Sequence, residues 1–233
     1  MLSRTCILKF KSLGATIVAI VYYPSCRFKE FLPEISPHIE AYMRERYDAV
    51  IAGCCRPNHA PLSSRDTAVT ICNTCRAIVF EDSPANVKSI WELIASDGAF
   101  HFPSFAGERM ALQDCWRSQG CHAQQDAVRE ILRMMNIDIA ELPKRRDRAD
   151  YCGVTLLAPL PAENACFAPK LFCIDGKDTF IPMAPDEKRR AMVRHCDGIA
   201  EEKVVCYCVP CTKGILLGGK TAIHLAELVF KMR

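Results

Sequence analysis

Apolar residues in this chain fall in short runs separated by polar stretches with helical spacing. Residues 15–23, 49–52, 68–71, 110–112, 137–142 and 203–205 are mostly continuous apolar runs, as expected of strands covered on both faces. Between and after them, Val128, Ile131, Leu132 and Met135 recur at helical intervals, as do Met192, Cys196 and Ile199, and then Ala222, Leu225, Ala226 and Val229. Alternation of this kind predicts an α/β fold with largely parallel sheets and flanking helices. One stretch departs from it. Residues 170–174 and 179–181 flank Asp175, Gly176, Lys177 and Asp178, which predicts a small β-hairpin near 170–182, confined to an edge because Pro182 has no N–H for a ladder.

With the cysteines as rulers, the chain divides into similar halves. Cys26 is followed by Cys54 and Cys55, then by Cys72 and Cys75; Cys115 is followed by Cys152 and Gly153, then by Cys208 and Cys211. Each closing Cys-x-x-Cys is preceded by an apolar run and followed, at nearly the same distance, by a helical stretch ending in similar residues, Ile90, Trp91, Glu92 and Leu93 in one half and Leu225, Ala226, Glu227 and Leu228 in the other. This predicts an internal duplication into two cysteine-rich lobes, 1–105 and 106–233, the second carrying the hairpin, with the boundary between Pro103 and Glu108.

Composition narrows the chemistry. The chain has 233 residues, 50% of them hydrophobic, and a formal net charge of +3, which is globular and too weakly basic to imply nucleic acid. The basic run of Lys144, Arg145, Arg146 and Arg148 is interrupted by Asp147 and reads as solvated surface. The apolar stretch from residue 15 to 21 is too short to span a membrane, and bulky Tyr22, Tyr23 and Pro24 follow it where a leader would want small residues, so it reads as a buried strand. Fifteen cysteines, an odd number in a chain long enough to fold without staples, point to a reducing, cytoplasmic setting and to a use other than disulfides.

Cys-x-x-Cys after a strand can place two sulfurs on one metal centre, and this chain has two copies. The adjacent Cys54 and Cys55 suit a polynuclear centre better than a single zinc, because neighbouring side chains diverge and reach different atoms. The order of a lone cysteine, a Cys-Cys or Cys-Gly segment and a closing Cys-x-x-Cys, occurring twice, resembles the cysteine-rich CCG domains of the heterodisulfide reductase family. Tyr22, Tyr23, Pro24, Ser25 and Cys26 resemble the opening of such a domain; Gln113, Asp114, Cys115, Trp116 and Arg117 resemble its second start. Tyr151, Cys152 and Gly153 stand where the second Cys-Cys-Gly would be, and Cys208, Val209, Pro210 and Cys211 match the closing motif.

The resemblance implies an iron–sulfur redox protein. It assigns a noncubane four-iron four-sulfur cluster to Cys26, Cys54, Cys55, Cys72 and Cys75, with disulfide reduction or thiol oxidation centred on Cys54 and Cys55. Cys115, Cys152, Cys208 and Cys211 then hold either a second, conventional 4Fe-4S cluster or a degenerate site, because Tyr151 replaces the first cysteine of the pair. The implied partners are an electron-donor protein such as a ferredoxin-like redox component and a small disulfide or thiol substrate. Arg56 replaces the family glycine, and the gap between Cys55 and Cys72 is short for the family.

Other residues carry narrower expectations. Arg56 and Arg76 are candidates to hold the charge of a cluster or a substrate carboxylate, against a reading as solvent-facing cations. Cys206 is a candidate fifth ligand, His59 a candidate proton donor, and Cys173 and Cys196 are expected to pack as small hydrophobes. No dinucleotide or phosphate-loop motif occurs. Two other readings remain: a non-catalytic module whose thiolates hold zinc or one simple cluster, and a thioredoxin-like dithiol protein that would leave most of the cysteines unexplained.

Overall fold

The structure is a computed structural model that describes residues 18–56 and 61–230. Its first half runs β1 (Ile20–Tyr23), α1 (Cys26–Phe31), α2 (Ser36–Tyr47), β2 (Val50–Ile51), β3 (Thr67–Thr70), α3 (Asn73–Asp82), β4 (Asn86–Ser89) and α4 (Ile90–Ser96). The second half runs β5 (Arg109–Gln113), α5 (His122–Met134), β6 (Asp138–Glu141), α6 (Ala162–Phe167), α7 (Pro185–Asp197), β7 (Lys203–Cys206), α8 (Val209–Leu217), β8 (Thr221–His224) and α9 (Leu225–Val229). Each half forms a four-stranded sheet, in the orders β2-β1-β3-β4 and β6-β5-β7-β8. Every pairing is parallel, with Tyr22 opposite Val69 in one sheet and Leu112 opposite Val205 in the other. The same order occurs twice, as the cysteine pattern predicts.

The central strands are the apolar runs read from the sequence, and both faces of them are covered: Ala68, Val69, Ala111, Leu112, Val204 and Val205 have no exposed surface. The run at 15–23 pairs only from Ile20 on; residues 15–17 lie outside the described residues. Two strands went unread. Edge strand β4 has polar, exposed Asn86 and Lys88, and β8 is only four residues long, so neither shows an apolar run. What marks them is the cap that ends each. The Ser89 Oγ accepts from Trp91 N–H (3.3 Å) and Glu92 returns the bond to Ser89 N–H (2.8 Å), while His224 Nδ1 accepts from Ala226 N–H (3.2 Å) and Glu227 from His224 N–H (2.7 Å). The paired segments at 90–93 and 225–228, expected to end helices, are instead first helical turns that follow β4 and β8, their apolar residues seated in the core.

The expected hairpin does not form. Lys170–Asp175 make a π-helical turn, and residues 179–183 continue as irregular chain bonded to the 156–157 backbone. A two-residue hairpin turn needs positive φ, but Gly176 has φ −91° and serves clearance instead, since a Cβ there would lie 2.9 Å from the Trp116 ring. Phe172 and Phe180 both pack on Trp116, at 6.4 and 5.7 Å, and Glu81 of α3 accepts from the N–H groups of Lys170 and Leu171. Tertiary packing on Trp116 outweighs local alternation.

One continuous apolar core joins the two halves. The helices α4 and α5 pack together, Gln124 donates to Asn73 in a buried bond of 2.8 Å, and His224 contacts Phe28 and Trp91 of the first half. Under the second sheet lies a buried charge network. Asp114 accepts from Arg129 (2.6 Å), the Tyr207 hydroxyl (2.7 Å) and Arg146 N–H (2.7 Å), and Arg129 also reaches Glu141. Arg146 and Lys144 of the basic run are paired with Asp126 and Asp150 on the surface, as its interrupted charge suggests.

Substitution at two buried groups tests this packing. Arg129→Met leaves Asp114 buried beside an apolar side chain and should cost roughly 3–5 kcal/mol in urea unfolding. Burial pushes His224 down to about 3. Its unfolded value is higher, so its neutral form contributes stability that is complete above pH 6.5 and is lost as pH falls toward 3. Between pH 7.5 and 5.5 this amounts to about 1 kcal/mol, and His224→Ser, which copies the cap at Ser89, should flatten the measured pH slope by that amount.

Candidate metal centre and the thiol cavity

Both cysteine sets leave their sheets at the carboxyl ends of strands, where the order reverses between β1 and β3 and between β5 and β7. Such a switch point is where successive loops part to opposite sides and leave room for a ligand. The Cys-x-x-Cys motifs have one local geometry. Cys72 and Cys208 are the N-caps of α3 and α8, so Cys75 and Cys211 fall in the first helical turn, beside backbone N–H groups that lack helical partners.

In the second half the four thiols converge. The Sγ atoms of Cys115, Cys152, Cys208 and Cys211 lie within 4.8 Å of one another and all four residues are buried. Cys152 is central, 3.5 Å from Cys115 and 3.8 Å from Cys208. Its own burial opposes ionisation, yet hydrogen bonds from Cys115, Cys208 and Cys211 and the charge of Arg117 hold its thiol well below the usual range. Cys208 is pushed up because it gives its hydrogen to Cys115 and Cys152, and Cys211 chiefly by burial. These four residues can hold a metal.

The loop that delivers Cys152 depends on glycine. Gly153 has φ +57°, and a Cβ on it would fall 2.1 Å from the Pro210 carbonyl oxygen; Gly214 of α8 closes on the same loop, where a Cβ would meet the Tyr151 hydroxyl at 2.3 Å. Tyr151 turns away from the thiols, stacking on His195 at 3.9 Å and donating to Met192 Sδ at 3.3 Å, while its carbonyl accepts from Trp116 N–H and from the Cys211 thiol. Cys206 stays outside the cluster. It is buried on β7, where desolvation raises its thiol and Thr212 is its hydrogen-bonding neighbour.

The first set is looser. Cys75 interacts with both Cys55 and Cys72: shared hydrogen bonding with it lowers Cys55 and brings Cys72 down to about 5, while Cys75 itself is raised as the holder of the proton. Cys26 is exposed but lines the same cavity as these three. Cys54 is exposed and does not line it; its Sγ accepts from Arg56 N–H at 3.4 Å. The cavity, about 330 Å³, opens between the halves and is also lined by Cys208 and Arg117 of the second.

Arg56 is neither free nor aimed at sulfur, since it pairs with Glu163 at 3.2 Å and donates to Asn164 at 2.8 Å. Arg76 lies over the Phe80 ring at 5.8 Å. Cys196 is buried as expected, but Cys173 is exposed, because the π-helical turn replaces the strand that would have covered it. Cys121 is buried and donates to the Gln119 carbonyl, apart from both sets, and its neighbour His122 pairs with Asp147. His59 and Cys6 lie outside the described residues.

Sequence reasoning missed the roles of Arg117 and His224. Arg117 donates to Cys152 Sγ and to Thr155 Oγ1, and its charge is favoured by the surrounding cysteines despite burial. Its signal in the sequence is only its place two residues after Cys115, on a 3-10 turn that swings it back over the thiols. His224 reaches the cavity from the end of β8, far from any cysteine in sequence.

No protein-family model, curated protein or solved structure matches the chain. The class is therefore defined by fold and site alone: a cysteine-rich α/β protein with two parallel sheets and a buried four-thiol centre able to take a metal. Gly153→Ala combines positive φ with a backbone clash and should cost about 2 kcal/mol or more in thermal unfolding and weaken metal retention with it.

Proposed function

We propose that this chain is a metal–thiolate redox protein of the CCG-domain heterodisulfide reductase type, in which the first cysteine set carries the sulfur chemistry. The observation that supports this reading best is the cavity of about 330 Å³ onto which Cys26, Cys55, Cys72 and Cys75 face, with Cys208 of the buried centre on its wall. It is large enough for a small thiol or disulfide. Cys26, Cys55, Cys72 and Cys75 would hold an iron–sulfur cluster there, with Cys54 as a fifth ligand only if its side chain turns inward. Bound there, the cluster supplies the single electrons that reductive cleavage of a sulfur–sulfur bond requires. An electron-donor protein, ferredoxin-like in chemistry, and a small disulfide or thiol substrate complete the reading. Among the described residues no helix is long and apolar enough to cross a membrane. The many free thiols accord with a cytoplasmic setting.

The residues themselves do the rest of the work. Cys75 shares hydrogen bonds with Cys55 and Cys72, and because ligating thiols are deprotonated, filling this set with metal would release that shared proton. Phe28, Ile71 and Val209 give the cavity an apolar stretch of wall beside the thiols.

The second set favours a different occupant. Metal–sulfur bonds of about 2.3 Å around one tetrahedral ion place sulfurs about 3.8 Å apart, close to the 3.5 and 3.8 Å between Cys152 and its neighbours. The thiolates of a four-iron cubane stand roughly 6 Å apart, beyond the 4.8 Å limit of this set. Cys115, Cys152, Cys208 and Cys211 thus fit a single ion such as zinc better than a cubane cluster. That spacing also favours the second reading, a structural module whose only metal is this ion.

Anaerobic purification followed by iron, acid-labile sulfide and zinc analysis separates the two. The redox reading expects about four iron and about four sulfide per chain, lost in Cys55→Ser, and about one further ion, lost in Cys152→Ser. Zinc near one per chain, no sulfide, and no effect of Cys55→Ser would leave the structural module.

A further inference from the structure

We propose that Arg117 is a bridge between the two thiol sites, a single buried cation that stabilises metal binding at both. The inference rests on the metal–thiolate reading above. Arg117 sits on the 3-10 turn after Cys115 and donates to Cys152 Sγ, which ties it to the second set. The same side chain lines the cavity onto which Cys55, Cys72 and Cys75 of the first set face. Its Nε is buried and has no hydrogen-bond partner among the described residues, so the guanidinium has donor capacity beyond what the second set uses.

The surroundings make this charge count. Trp116 and Phe172 lie over the guanidinium at 5.8 and 5.7 Å and keep solvent from it. A charge buried in this way is screened much less than one at the surface. Burial opposes its charge, and Cys152, Cys115 and Cys208 of the second set together with Cys72 of the first favour it. Of the other cations on the cavity wall, Arg56 favours the Cys55 thiolate of the first set by its charge but is tied to Glu163 and Asn164 and does not reach the second set, and Arg27 is exposed.

The bridge acts by offsetting negative charge. A divalent ion bound by four thiolates carries a net charge of about −2, and a thiolate-bound group in the first set is anionic as well. Two such centres facing one cavity repel each other, and each makes the other harder to fill. A fixed cation between them counters that repulsion and lowers the free energy of both. A residue acting only on Cys152 would affect the second set alone.

The test titrates cobalt(II) anaerobically and follows cobalt–thiolate charge-transfer absorption, a readout independent of activity. Cys152→Ser disables the second set and reports on the first; Cys75→Ser does the reverse. In the Cys152→Ser background, Arg117→Met should weaken cobalt binding to the first set by about tenfold, while Arg117→Lys, which keeps the charge, should stay within about threefold. In the Cys75→Ser background, Arg117→Met should weaken the second set by about tenfold or more, because a direct hydrogen bond is lost as well. If circular dichroism shows the methionine variants unfolded, the comparison of Arg117→Gln with Arg117→Lys reads the same charge effect. First-set affinity unchanged within about twofold on loss of the charge overturns the bridge and leaves the metal–thiolate reading intact. Absence of the charge-transfer band in Cys152→Ser alone overturns the metal reading of the first set, and the bridge with it.

Discussion

Parallel pairing is the constraint on which the rest of this molecule depends. Because β1, β2 and β3 run the same way, as do β5, β6 and β7, the segments that leave them emerge at one edge of each sheet, and those segments carry the cysteines. Parallel strands need crossovers, and the reversal of order between neighbouring strands opens the space into which the thiols turn. Sulfurs up to 96 residues apart in the chain, as Cys115 and Cys211 are, meet with no disulfide to hold them.

The two sets use this scaffold differently. The second is tightly gathered: Gly153 lets its loop close on Pro210, Tyr151 is fixed by His195 and Met192, and Asp114 anchors the turn through Arg129 and Tyr207. The first set lacks these supports. Arg56 stands where the pattern has glycine, and Cys54 and Cys26 are exposed. The buried four-thiol centre can take a metal, and the cavity between the halves is lined by cysteines of both sets.

Much of this was legible in the residues. The central strands declared themselves by apolar runs and the duplication by cysteine order, but the similar segments at 90–93 and 225–228 start helices and do not end them, because each follows an edge strand that shows no apolar run. The hairpin misled because alternation in residues 170–181 is a local signal, and the aromatic residues there are claimed by Trp116, more than 50 residues away in the chain. Cys173 was misjudged for the same reason. Edge strands β4 and β8 escaped because a short or one-sided strand needs no apolar run.

Sequence alone determined the fold class and the pair of similar sheets, since these follow from local periodicity and from the repeated order of apolar runs and cysteines. Tertiary structure alone decided that four thiols are already within 4.8 Å while the other set stays open, and that Arg117 and His224 reach the cavity between the halves. Distances between loops and the burial of a charge depend on how two sheets pack against each other. Neither quantity is carried by any local stretch of chain.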